Sequence, residues 1–155
     1  LIILIVGIII VKNNINTEGN RQLNNNEEIY LGNPEDNVGL IDMSNTDNVQ
    51  ISEGKKENIS ENVSKSRTIE GLQITDIKLS AENGISSFTA TVTNNTGVDF
   101  AEAIATIQFT NKDGSKYASL DVVVPEVKNG QTNTINAATT SDISNAYDFT
   151  ITIQK

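Results

Sequence analysis

The sequence contains no cysteine, no histidine and no tryptophan. Without cysteine, the chain has no disulfide, no thiolate metal ligand, no cysteine nucleophile and no thiol to which a lipoprotein lipid attaches. Without histidine, it has no imidazole to act as a general base or as a metal ligand. The sequence also contains no nucleotide-binding loop, so we expect a protein that is not an enzyme and that uses no cofactor.

Basic residues are scarce, since 11 Lys and Arg stand against 20 Asp and Glu and the formal net charge is −9. Both parts of the chain are acidic: residues 12–66 carry five basic and ten acidic side chains, and residues 67–155 carry six and ten. Proteins bind nucleic acids through clusters of Lys and Arg that displace counterions from phosphates. We therefore expect no nucleic-acid partner.

The one long apolar run is Leu1–Val11, which contains no charged residue. A bilayer span requires roughly 20 apolar residues, so we predict this run to be the end of a longer membrane anchor. The protein would then lie at the cell membrane as a single-pass protein, with its C-terminal domain outside the cytoplasm. The alternative is the apolar core of a cleaved signal peptide. The anchor is favoured because residues 9–13 contain no small residue of the kind that a cleavage site requires.

Residues 12–66 are rich in Asn, Glu, Ser and Asp, and their apolar residues are scattered without a period. Such a segment buries too little apolar surface to offset the conformational entropy that it would lose on ordering. It is therefore predicted to be a disordered, acidic, Asn-rich linker. Two apolar islands, Ile29–Leu31 and Val38–Ile41, have an alternative interpretation as short strands that dock on a sheet edge.

Residues 67–155 show the alternation of apolar and polar residues that is typical of strands with one buried face, as in Phe88–Val92 and Ala103–Phe109. Asn83-Gly84 is a strong hairpin signal, and a shift of the pattern by one residue at Thr75-Asp76 predicts a β-bulge. Together these features predict an all-β fold, an antiparallel immunoglobulin-like β-sandwich of six to seven strands. Four aromatic residues are expected to fill its core: Phe88, Phe109, Tyr147 and Phe149.

Three stretches of this domain carry a family resemblance: Val92–Gly97 (VTNNTG), Ile107–Gly114 (IQFTNKDG) and Val127–Thr132 (VKNGQT). They resemble the loops, strand and turns of FxLYD-type bacterial extracellular domains, over most of residues 71–155. The sequence departs from that pattern at its defining triplet, where Phe109-Thr110-Asn111 replaces Leu-Tyr-Asp. The resemblance implies an immunoglobulin-like sandwich on secreted or membrane-anchored proteins, mostly of Gram-positive bacteria, with no catalytic residues to transfer.

Four oxygen-bearing side chains around the strand that ends at Phe109 form a candidate Ca²⁺ site: Asp99, Glu102, Asn111 and Asp113. Carboxylate and amide oxygens are the ligands that Ca²⁺ takes in proteins. Asn and Asp also stabilise tight turns without any ligand. The turn interpretation is favoured, so no metal ion is predicted.

Five polar residues alternate with the predicted core residues and are expected to face outward: Thr89, Thr91, Thr93, Thr106 and Gln108. They form a candidate flat binding face for a glycan or a protein. The alternative is that threonine is abundant there because it has a high β-propensity and keeps the surface soluble.

The leading hypothesis is a membrane-anchored, surface-exposed, non-enzymatic binding or spacer module of the bacterial cell envelope. Its partner would be an envelope protein or a glycan, and its attachment to the membrane would be the apolar segment 1–11. The alternative is an extracytoplasmic sensor or accessory domain that binds a small ligand or Ca²⁺. A hydrolase is disfavoured, because the chain has no histidine or cysteine and no pair of carboxylates placed for acid–base catalysis.

Overall fold

The structure is a computed structural model that describes residues 41–154. The predicted membrane anchor, residues 1–11, and residues 12–40 of the predicted linker lie outside the described residues. None of the helical structure in residues 41–154 is long and apolar enough to cross a membrane.

The described part of the chain contains nine strands and one short helix. The first half comprises β1 (Val49–Ser52), β2 (Lys55–Asn58), α1 (Glu61–Ser64), β3 (Arg67–Ile69), β4 (Leu72–Glu82) and β5 (Ile85–Asn94). The second half comprises β6 (Ala103–Thr110), β7 (Lys116–Val124), β8 (Thr132–Thr139) and β9 (Asp148–Ile153).

The strands form two antiparallel sheets that pack into a sandwich. One sheet has the order β1-β2-β4-β5-β8, with β3 also paired to β4, and the other has the order β7-β6-β9. Strands β4, β5 and β8 take the places of A, B and E of an immunoglobulin sandwich, and β7, β6 and β9 take those of C′, C and F. The predicted fold class is confirmed. The strand count exceeds the predicted six to seven because β1, β2 and β3 extend the first sheet.

Strand β4 shows why the alternation of side chains fixes the core. Its buried residues have even numbers up to Ile74 and odd numbers from Ile77 onwards, so the alternation shifts by one residue between them. The pairing of β4 with β5 shifts register between Thr75 and Lys78, and Asp76 has a φ of 50°. This irregularity turns both sets of apolar side chains to the same face. The predicted bulge is therefore confirmed, as is the Asn83-Gly84 hairpin, in which both residues have positive φ.

Three phenylalanines from both sheets meet at the centre of the core. Phe88, Phe109 and Phe149 are all at most 1% exposed, and their ring centroids lie 5.6–6.4 Å apart. The guanidinium of Arg67 lies over the ring of Phe149, 4.0 Å from its centroid. Tyr147, the fourth predicted core aromatic, is only partly buried, because it precedes β9 and lies in the loop that leads into that strand.

The predicted disordered linker is wrong in its last part, because β1, β2 and α1 all precede the predicted domain boundary at Arg67. Strand β2 pairs with β4, with Lys56 opposite Ala81. Lys56 is fully buried, and Val49 and Val63 also belong to the buried set. The sequence of β2, Lys-Lys-Glu-Asn, contains no apolar residue. The hydrophobic pattern therefore does not predict that Lys56 is buried.

The turn between β3 and β4 brings the backbone close to another loop. Ile69 pairs with Leu72, and the two residues between them, Glu70 and Gly71, both have positive φ. A Cβ added at Gly71 would lie 2.7 Å from Cγ2 of Thr96. Glycine is therefore required at this position both by the backbone conformation and by the neighbouring side chain.

We expect Gly71→Ala to lower the free energy of unfolding by more than the roughly 1–2 kcal/mol that left-handed backbone costs a residue with a Cβ. Gly54→Ala is the matched control, because Gly54 has a similar φ of 80° with nothing within 4 Å of its added Cβ. Urea unfolding of both variants gives the two losses. Equal losses would show that the contact with Thr96 costs nothing and would contradict the prediction.

Candidate functional site

The four residues of the candidate Ca²⁺ site are not brought together. Asp99 and Glu102 precede β6, whereas Asn111 and Asp113 follow it. The strand between them has eight residues, which at about 3.3 Å per residue separates the two pairs by roughly 26 Å. The candidate site is therefore wrong as a single site. Successive loops of a sandwich alternate between its two ends, so closeness in sequence did not mean closeness in space.

Three of these four side chains make hydrogen bonds within a turn or between loops. Asp99 Oδ1 accepts a hydrogen bond from the backbone N–H of Asn129 at 2.8 Å. Asp113 Oδ1 accepts hydrogen bonds from the hydroxyl and the backbone N–H of Ser115 at 2.6 and 2.9 Å, and Asn111 Nδ2 donates to the same hydroxyl. The Ser115 side chain, followed by its backbone, holds the pKa of Asp113 below its ordinary value of 3.8.

The five residues of the candidate binding face also separate into two groups. Thr89, Thr91 and Thr93 lie on β5, on the outer side of one sheet, whereas Thr106 and Gln108 lie on β6, on the outer side of the other. They therefore lie on opposite sides of the sandwich and form no common surface. The chain crosses from one sheet to the other between β5 and β6, and no local pattern marks that crossing.

The structure instead contains a surface cleft that sequence reasoning did not find. It has a volume of about 470 Å³ and is formed by the loop before β1, the β6–β7 turn with the start of β7, and the loop before β9. Its lining is almost entirely polar: Asn45, Asp47, Asn48, Asn111, Lys112, Asp113, Tyr117 and Asn145. Two residues of the candidate Ca²⁺ site, Asn111 and Asp113, thus take part in a different site.

A buried ion pair fixes the loop before β9 to the N-terminal segment. The ammonium of Lys56 donates to Asp142 Oδ2 at 2.9 Å and to the backbone carbonyl of Asp42 at 2.8 Å. The side chain of Lys56 is 0% exposed and that of Asp142 is 12% exposed. Because an ammonium is costly to bury without a partner, this pair holds the two segments in one arrangement.

Three further side chains of the N-terminal segment bind the backbone of the same loop. Asn48 Nδ2 donates to the carbonyl of Asn145 at 3.0 Å, and Asn58 Nδ2 donates to two neighbouring carbonyls of the loop at 2.7 Å each. Ser60 Oγ donates to the carbonyl of Tyr147 at 2.6 Å. We call these contacts, together with the Lys56 ion pair, the N-terminal clamp. The clamp positions two of the segments that form the cleft.

Asn145 is the most buried side chain that lines the cleft, with 5% of its surface exposed. Its Nδ2 donates to Asp142 Oδ2 at 3.3 Å, but its Oδ1 has no hydrogen-bond partner. Burial raises the pKa of the neighbouring Tyr117 above 10.0, and the negative charge of Asp142 raises it further. Hydrogen bonding to the side chain and the backbone of Asn145 lowers this pKa. A buried acceptor without a donor costs about 1–3 kcal/mol, so Asn145 Oδ1 lowers the stability of the loop before β9.

The comparisons with known proteins do not show a family for this domain. No protein-family model matches the sequence, and no curated protein matches it. Among solved structures, the chain is similar to a DUF1425 family member from Shewanella sp. pv-4, with 11% sequence identity and a TM-score of 0.38, over 69% of this chain and 94% of that chain. The class of the domain, an all-β antiparallel sandwich, follows from its strand pairing. The FxLYD-type resemblance stays a prediction.

Proposed function

We propose that residues 41–154 form a non-catalytic binding module of a bacterial cell envelope, and that its partner binds in the polar cleft. The observation that carries this proposal is the cleft itself, whose lining loops are fixed by the N-terminal clamp. Binding residues are commonly found on loops that a rigid scaffold positions. The FxLYD-type resemblance and the apolar segment 1–11 support a location outside the cytoplasm, attached to the membrane.

Binding accounts for the cleft better than a spacer role does. A spacer needs length and stability, but it has no use for a concavity whose lining loops are held in place by a buried ion pair. Loops that a scaffold holds in place are where binding residues are usually found, and the cleft is formed by three such loops.

Two titratable groups of the cleft, Asp113 and Tyr117, also favour binding over catalysis. The pKa of Asp113 is lowered and that of Tyr117 is raised, so each keeps its ordinary charge state at neutral pH. A general acid or base works best when its pKa lies close to the operating pH. These shifts move both groups away from that condition.

The proposal is tested by chemical crosslinking of the full chain on intact cells of the source organism, followed by mass spectrometry. We expect one dominant envelope partner, either a protein or a glycan. Asp47→Ala, in the cleft, should reduce its recovery, whereas Thr89→Ala, on the outer face of β5, should not. Recovery of scattered neighbours alone, without a dominant partner, would overturn the proposal and favour a spacer.

A further inference from the structure

We propose that the free edge of β8 binds a second copy of this chain, with the two β8 strands antiparallel about a twofold axis. This pairing would join the β1-β2-β4-β5-β8 sheets of the two copies into one continuous sheet. The inference goes beyond the proposed function, because it concerns a different surface from the cleft and a different partner.

Strand β8 directs half of its backbone groups away from β5, its neighbour in the sheet. The N–H of Asn94 donates to the carbonyl of Gln131, and this bond continues the register in which β5 and β8 pair. Hydrogen-bonded positions alternate along an antiparallel pair, so residues 133, 135, 137 and 139 bond to β5. The N–H and C=O groups of the other four residues therefore point to the free edge: Thr132, Thr134, Asn136 and Ala138.

These outward groups are exposed, and almost all of them lack a partner within residues 41–154. All four residues are exposed. Among the hydrogen bonds of the described residues, one reaches the outward groups, from Thr134 N–H to Asn133 Oδ1 at 2.8 Å. A row of unpaired N–H and C=O groups is a template on which another strand can pair.

Strand β8 also lacks the features by which proteins protect a sheet edge, which are charged side chains, proline and bulges. Residues 129–141 contain no charged residue and no proline. Eight successive residues of β8 pair with β5 without a register shift. The other outer strands of the described chain are short or charged: β1 has four residues and β3 has three, whereas β7 carries Lys116 and Asp121 and β9 carries Asp148.

A second copy fits this edge because the edge is complementary to itself. An antiparallel pairing centred on Ile135 places Thr132 opposite Ala138 of the other copy, and Thr134 opposite Asn136. The outward N–H and C=O groups of all four residues then face partners in the other copy. No other register brings all four into the pairing.

The charges around β8 permit this contact, although each copy has a formal net charge of −9. The nearest charged residues along the chain, Lys128 before β8 and Asp142 after it, have opposite signs. An antiparallel copy places the start of one β8 beside the end of the other, so like charges do not meet there. Because one strand per copy is a small interface, we expect a weak dimer that dissociates at concentrations on the order of micromolar.

The test is sedimentation equilibrium of the full 155-residue chain, in a mild detergent and at about 0.15 M salt, which screens the distant charges. We expect a monomer–dimer equilibrium that shifts with protein concentration. Hydrogen exchange followed by NMR on the same samples reports on the edge itself. The backbone amides of Asn136 and Ala138 should be protected in the dimer and should exchange rapidly after dilution.

Charged variants test the antiparallel pairing. Thr134→Lys combined with Asn136→Lys places lysines opposite lysines and should weaken dimerisation by about tenfold. Thr134→Lys combined with Asn136→Glu places each lysine opposite a glutamate and should restore the affinity of the unmodified chain. Thr89→Lys is the matched control, because Thr89 is opposite Asn136 but lies on β5, away from the edge. It should dimerise like the unmodified chain.

Four outcomes would overturn the inference. Undiminished association of the lysine–lysine variant would place the contact on another surface, such as segment 1–11. Failure of the lysine–glutamate variant to restore affinity would exclude the pairing centred on Ile135. A monomer at all concentrations would show a bare edge if Asn136 and Ala138 exchange rapidly, or an edge covered by another part of the same chain if they are protected. None of these outcomes affects the crosslinking test of the proposed function, so the two failures are distinguishable.

Discussion

Replacing Lys56 with alanine is expected to lower the free energy of unfolding by about 3–5 kcal/mol, the cost of removing one partner from a buried ion pair. The substitution leaves the largely buried carboxylate of Asp142 without its cation. It also removes the donor to the carbonyl of Asp42. Urea unfolding followed by circular dichroism measures the loss.

The matched control for this prediction is Lys55→Ala, on the same strand. Lys55 is exposed and paired with Glu57 at the surface, where an ion pair contributes little, so its loss should change stability only slightly. The double variant Lys56→Met with Asp142→Asn removes both charges and should recover part of the stability lost in Lys56→Ala. A loss below about 1 kcal/mol in Lys56→Ala would contradict the prediction and show that solvent can reach Asp142.

Phe88→Ala is expected to cost about 3–5 kcal/mol, the usual range for a buried phenylalanine in a well-packed core. Phe88 is fully buried, and its ring meets those of Phe109 and Phe149 edge-on, with centroids 6.4 and 5.6 Å away. The substitution removes contacts between both sheets and leaves a cavity where the three rings meet. Thermal and urea unfolding should both report the loss.

Val98→Ala serves as the control for the core substitution, because Val98 is 69% exposed. It should change stability by less than about 0.5 kcal/mol, as surface substitutions generally do. If Phe88→Ala were as mild as this control, the core would be able to collapse around the missing ring. The three phenylalanines would then not be the centre of the fold.

The parts of the fold that the sequence predicted correctly are those encoded over a few neighbouring residues. The parity shift at Thr75-Asp76 predicted the bulge, and Asn83-Gly84 predicted a hairpin, because each depends only on local backbone preferences. Alternation identified Phe88, Phe109 and Phe149 as core residues, since side chains two positions apart share a face.

The parts that the sequence did not predict depend on partners far along the chain. Strand β2 is buried through Lys56, and a lysine is buried only when a distant carboxylate such as Asp142 pairs with it. The cleft joins Asn48 to Asn145, which are 97 positions apart. Thr89 and Thr106 lie in different sheets, because the chain crosses from one sheet to the other between β5 and β6. Periodicity carries no information about any of these three relationships.

The N-terminal clamp also has a consequence for the order in which the domain can fold. Its side chains bind a loop that lies 86–97 positions further along the chain. During synthesis, β1, β2, β4 and β5 can pair as soon as they have emerged, whereas the clamp must wait until residues 142–147 have been made. Contacts this distant slow folding, because the loop they close costs entropy before any contact forms. A chain interrupted before Asp142 would expose Lys56 and an unpaired sheet edge, which favours aggregation.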